Sequence, residues 1–101
     1  LQNLVLQNNQ LTDVKGLEKL TQLEFLNLFN NQLTDVKGME KLAKLKTLTL
    51  NSNRLTHVKG LEKLTQLTHL ELQNNPDLTK AQIDQLQKAL PKCNIINNPT
   101  K

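Results

Sequence analysis

The side chains best suited to catalysis or metal ligation are two histidines, His57 and His69, and one cysteine, Cys93. His69 and Glu71 stand two positions apart in LTHLELQNNPDL, on one face of the chain if that segment is extended. An imidazole beside a carboxylate could ligate a metal or move a proton, but either role needs further groups, and no third ligand accompanies them. The sequence also shows no nucleophile–base pair, no phosphate-cradling glycine loop and no paired carboxylates. His69 therefore reads as a polar contact residue. His57 fills a turn position held elsewhere by Asp13 and Asp35 and reads as surface variation. A single cysteine forms no internal disulfide. Cys93 falls among apolar positions, whereas a reactive thiol calls for exposure and a cationic setting. These residues predict no catalysis, no metal and no cofactor.

The remaining chemistry is recognition. Phe25 and Phe29, the only aromatic residues among 101, both lie in LEFLNLFNNQL, Leu23 to Leu33. They alternate with Leu26 and Leu28, the period of a strand with one buried face. If the leucines point inward, the rings point outward. Outward aromatic residues in a patch are typical binding anchors. The bland alternative is packing of the rings across the sheet on Val5 and Thr47.

What positions these rings is a repeat. The chain reads LQNLVLQNNQLTDVKGLEKLTQ, LEFLNLFNNQLTDVKGMEKLAK and LKTLTLNSNRLTHVKGLEKLTQ, three units of 22 residues, before a fourth begins at Leu67. Slots 1, 4, 6, 11, 14, 17 and 20 are apolar in all three, with Met39 and three valines the only departures from leucine. Slots 4 and 6 alternate with polar slots, which predicts a strand. From slot 11 the apolar spacing becomes three, which predicts a 3₁₀ conformation because an α-helix would rotate such a stripe off its face. Gly16, Gly38 and Gly60 mark turns where a side chain is unwelcome.

These residues resemble the leucine-rich-repeat family. Its signature L-x-x-L-x-L-x-x-N-x-L is met at Leu1 to Leu11, Leu23 to Leu33 and Leu45 to Leu55. The 22-residue length and the L-T-D-V-x-G-L-x-x-L continuation are similar to the subclass of bacterial internalin-type repeats. The resemblance implies an α/β solenoid with a parallel β-sheet on its concave face, returned by short 3₁₀ and turn-rich segments. It also implies that Asn9, Asn31, Asn53 and Asn75, in slot 9, form a structural ladder of amides serving backbone groups at the strand exit. Binding is expected on the concave sheet face. A bacterial surface or secreted setting is implied, with the cytoplasm left open.

The fourth unit departs from the pattern, and its apolar residues Ile83, Leu86 and Leu90 take helical spacing. Thr79 with Gln82 makes a capping box, Leu78 with Ile83 a hydrophobic staple, and Pro91 limits the helix. LPKCNIINN then matches the strand template, with Leu90, Cys93 and Ile95 in slots 1, 4 and 6 and Asn98 in slot 9. Two parts follow: repeats over 1–78 and a C-terminal cap over 79–101, comprising helix, last strand and polar tail. Leu1 opens directly in slot 1, so the expectation is a truncated array whose uncovered N-terminal edge permits self-association.

Outward slots 3, 5 and 7 supply the candidate contact residues. They are Val5 and Gln7; Phe25, Asn27 and Phe29; Thr47, Thr49 and Asn51; and His69, Glu71 and Gln73. Core and back slots repeat almost verbatim, as with Lys15, Lys37 and Lys59, while these differ in every copy. The formal charge is +4, yet the strand face carries only Glu24, Lys46 and Glu71. Nucleic-acid binders concentrate cations near stacking aromatics; here the two lie on opposite faces, so no nucleic-acid partner is predicted. A mean hydropathy of −0.50 and the lack of any apolar run of about 20 residues predict no membrane insertion. The sequence predicts a non-enzymatic module binding a protein or peptide. Two alternatives stand beside it: a structural cap with recognition upstream, or a regulatory appendage of a catalytic domain.

Overall fold

Each repeat buries its leucines through two backbone conformations in succession. In the computed structural model, which describes residues 2–97, the first is a three-residue strand: β1 Asn3–Val5, β2 Phe25–Asn27, β3 Thr47–Thr49 and β4 His69–Glu71. A fifth strand, β5 Asn94–Ile96, completes one parallel sheet in sequential order. The second is a 3₁₀ turn at Leu17–Lys19, Met39–Lys41 and Leu61–Lys63. The three-residue spacing has a direct hydrogen-bond counterpart. Leu17 N–H donates to Val14 O, Leu20 to Leu17 and Leu23 to Leu20, at 2.9, 2.9 and 3.1 Å. The next two repeats copy this chain of bonds.

The strands stack in register, Leu4 on Leu26 on Leu48 on Leu70. Leucines of the second and third repeats are fully buried, including Leu26, Leu28, Leu48 and Leu50. Their counterparts in the first repeat, Leu4, Leu6, Leu11, Leu17 and Leu20, are only partly buried against the core.

Where the chain leaves each strand, one asparagine ties two repeats together. Asn53 Nδ2 donates to Leu28 O of the preceding repeat and Leu50 O of its own, each at 3.0 Å. Its Oδ1 accepts from Leu33 N–H at 3.1 Å. Asn31 and Asn75 make the corresponding bonds, and all three residues are buried. Asn9 is exposed and reaches only its own repeat. The side chain works because an amide both donates and accepts.

The residue just before each ladder asparagine adopts the left-handed conformation: Asn8, Asn30, Ser52 and Asn74 have φ between 59° and 62°. Asparagine tolerates this region better than serine. Asn30 Nδ2 also donates to Asn8 Oδ1 at 3.0 Å, a second and shorter ladder that Ser52 interrupts. The slot 16 glycines owe their identity to backbone handedness more than to space. Gly16 has φ 96° with open room around the place of a Cβ. Their N–H groups are capped by the glutamate two residues on, as from Gly16 to Glu18 at 2.8 Å.

The capping helix forms as its sequence predicts. α1 spans Lys80–Ala89, with the reciprocal Thr79–Gln82 capping box in place and Ile83 and Leu86 buried. Gln82 Nε2 further donates to Thr56 O at 3.0 Å, fastening the helix to the third repeat. The register of β5, however, differs from expectation. Ile95 pairs with Leu70, a slot 4 residue, and Ile96 O accepts from Leu72 N–H. Ile95 therefore occupies slot 4, not slot 6. A helix rises less per residue than an extended return, so more residues are spent before the strand resumes. Cys93 is buried, ahead of β5 and outside slot 4. Leu1, Asn98 and the polar tail lie outside the described residues.

Two stability outcomes follow. Asn53→Leu strands buried backbone groups in two repeats and is expected to cost at least about 2 kcal/mol in denaturant unfolding, while Asn9→Leu costs far less. Ser52→Asn removes a left-handed penalty and should raise stability by up to about 1 kcal/mol; an unchanged or lower unfolding midpoint would contradict this account.

Candidate functional site

Because the strands are in register, outward side chains of successive repeats form columns. Slot 3 runs Asn3, Phe25, Thr47, His69 and Asn94; slot 5 runs Val5, Asn27, Thr49, Glu71 and Ile96. Slot 7 adds Gln7, Phe29, Asn51 and Gln73. Nine of the eleven sequence-predicted contact residues line one open depression of about 460 Å³ on this face, and no other residue type joins them. Val5 and Gln73 are the two outside it. Val5 lies at the β1 edge, 54% exposed, and Gln73 is bonded to Glu71.

Neither phenyl ring is buried in the leucine core. Both are half-buried on the outward face, Phe25 flanked in slot 3 by Asn3 and Thr47 and Phe29 lying in the slot 7 column with Gln7 and Asn51. The sequence reading expected outward rings, with packing across the sheet as the alternative. Lateral neighbours one strand away cover part of each, because strands stand about 4.8 Å apart. Among the described residues the exposed large apolar side chains are instead Val5 and Ile96, at opposite ends of the slot 5 column. Asn94 and Ile96 extend the face onto β5. The sequence reading left them out because it drew the face from the four repeats alone; its two-residue register shift on β5 keeps both residues on the outward side.

A polar network runs between the rings and the C-terminal end. Asn27 Nδ2 donates to Gln7 Oε1 at 3.0 Å, and Asn27 Oδ1 accepts from Phe29 N–H at 2.9 Å, fixing the amide between the two rings. His69 Nε2 lies 2.9 Å from Glu71 Oε2, and Gln73 Nε2 donates to Glu71 Oε1 at 3.1 Å. These bonds, His69 first, hold the Glu71 carboxyl below the ordinary glutamate range. Glu24, the other acid of the strand face, has Lys46 at 3.5 Å. Burial pushes the Cys93 thiol up, away from reactivity. Among the described residues there is no group of three or more potential metal ligands, and no helix long and apolar enough to cross a membrane.

The back differs in kind. Lys15, Glu18, Lys37, Glu40 and Lys41 border a depression of about 540 Å³. There the carboxylates of Glu18 and Glu40 accept from glycine N–H groups, and hydrogen bonding to its own backbone N–H first, then to that of Gly16, holds the Glu18 carboxyl below the ordinary glutamate range. Its carboxylates are thus occupied with closing the turns.

A leucine-rich-repeat model of two copies matches residues 1–42, and a second leucine-rich-repeat model matches residues 35–76. No curated protein matches the chain. Among solved structures it is similar to a leucine-rich-repeat protein of Leptospira interrogans, at 39% identity and TM-score 0.86 over 94% of this chain and 25% of that one. An internalin of Listeria monocytogenes matches at 30% identity and TM-score 0.82, over 100% of this chain and 30% of that one. The functional domain of Listeria monocytogenes InlJ, which includes a cysteine ladder, matches at 27% and 0.64 over 77% of this chain and 19% of that one. The chain therefore spans less than a third of the length of each.

Carboxyl titration by NMR checks the Glu71 environment. Its midpoint should fall below the ordinary glutamate range and move back up in His69→Ala. The folded state holds this carboxyl ionised more strongly than the unfolded chain does. Its stabilisation is therefore complete above the ordinary range and is lost as pH falls through the lower folded midpoint.

Proposed function

The chain belongs to the leucine-rich-repeat family, and from that premise we propose that it is a non-catalytic recognition module that binds a protein or peptide on its concave sheet face. The observation that carries this reading is the depression centred on β2 and β3, where two half-buried phenyl rings stand among amides and hydroxyls. Such rings supply contact area at low conformational cost, and the polar groups around them fix orientation. Phe25 and Phe29 anchor; Asn27, Thr49 and Asn51 contribute hydrogen bonds. The stacked leucine core orders these side chains in advance, which limits the entropy lost on association.

The low charge of the face speaks for a protein or peptide over nucleic acid, since phosphate recognition needs a concentrated cationic surface. Peptides selected on the protein from a random linear library provide the test. The double variant Phe25→Ala/Phe29→Ala should melt like the parent and bind those peptides at least about 30-fold more weakly, as anchor truncations of 2 kcal/mol or more imply. Equal affinity for both proteins would remove the anchors from the account.

A further inference from the structure

Toward β4 the groove and its margin hold two acceptors without donors. Asn51 Oδ1 and Gln73 Oε1 are buried and have no hydrogen-bond partner among the described residues. They sit in the same column on neighbouring repeats, whose backbones are joined by Ser52 N–H donating to Gln73 O at 3.0 Å. Gln73 gives its Nε2 donor to Glu71 Oε1, and the other Glu71 oxygen lies against His69 Nε2. Toward β1 the same columns are satisfied: Gln7 Oε1 and Asn27 Oδ1 both accept hydrogen bonds. The imbalance is confined to one end of the face.

Buried acceptors without donors are costly, and each such group calls for an explanation. Here two stand beside a carboxylate held in its ionised form. Glu71 and Asn51 line the same depression as Phe29. The missing chemistry is a positively charged group rich in N–H donors. We infer that the peptide or protein partner presents a basic side chain to this end of the groove, arginine in preference to lysine, with Glu71 as its counter-ion.

Arginine fits because its planar guanidinium carries five N–H donors, enough for a carboxylate and two amide oxygens together, and it also stacks on aromatic faces such as Phe29. Terminal amide torsions are broad, so Asn51 can turn its oxygen outward, and that oxygen has no hydrogen bond to lose. Gln73 gives up the bond its Nε2 donates to Glu71 and turns Oε1 to accept from the incoming cation, which takes over as donor to the carboxylate. Lys46 is bound up with Glu24 on the strand face, so Glu71 is the acid left to receive a cation there.

This inference rests on the concave-face reading and sharpens it. Peptides selected on the whole protein should carry arginine at one fixed position. Replacing it with citrulline, which keeps the shape and removes the charge, should weaken binding about tenfold or more. On Glu71→Gln the same replacement should change affinity by less than about twofold. Asn51→Ala removes an acceptor that has no native partner, so it should fold normally and still weaken the arginine peptides. Selected peptides without a basic position, or an equal citrulline loss on Glu71→Gln, would overturn the cation site while leaving the aromatic anchors standing. Lysine doing as well as arginine would overturn the preference for the fork. No peptide retained by the parent protein would defeat both readings.

Discussion

The constraint on which this molecule depends is the satisfaction of backbone groups where each strand gives way to its return. A stack of parallel strands pairs its own N–H and C=O groups, but the exit from the sheet exposes others to an apolar interior. One asparagine per repeat answers this by joining carbonyls of two successive turns and an amide of the earlier one. A bond spanning two repeats permits one offset only. It therefore sets register as well as stability, and the columns on the sheet face inherit their alignment from it. Leucine could fill the same volume and would leave all three groups orphaned.

From that register follows a division of labour. The inward slots are leucine because their neighbours above and below are leucine. The back slots are copied because Gly16, Gly38 and Gly60 need left-handed φ and their N–H groups need the glutamate two residues on. Neither set can vary without disturbing a backbone hydrogen bond or a packing contact. Of the outward strand slots 3, 5 and 7, among the described residues, only Asn27 serves a backbone group, at Phe29 N–H. Substitution there changes what a partner meets and leaves the scaffold intact, so difference between copies accumulates on the face.

Most of this was legible in the sequence, and the misses have separate causes. Period two and period three in the leucines reveal strand and 3₁₀ turn because side-chain direction follows backbone geometry. The Thr79–Gln82 box is legible because capping is local. The register of β5 was not, since template matching assumes that the return has constant length, and α1 shortens the distance covered per residue. The left-handed slot 8 escaped notice although its signal was present: three of four repeats place asparagine there, beside the ladder asparagine. Packing of the rings across the sheet was one of two readings, but its extent could not be read, because it comes from neighbours about 22 residues away. Strand alternation settles which face a side chain occupies, not how far adjacent columns cover it.

That half-burial bears on why both aromatics fall in one repeat. A ring standing free on a strand samples several rotamers and must surrender them on binding. Phe25 and Phe29 flank Asn27, whose amide is held at both ends by Gln7 and the Phe29 backbone, while Thr47 and Asn51 on the next strand are shorter. The rings are thus steadied from the sides and left open toward the solvent. Splitting them between distant repeats would lose the shared amide and the common wall. Placed together, they form one anchor of fixed shape at one end of the depression. Asn51 and Glu71 line the same hollow, so apolar and polar recognition can act on a single extended segment.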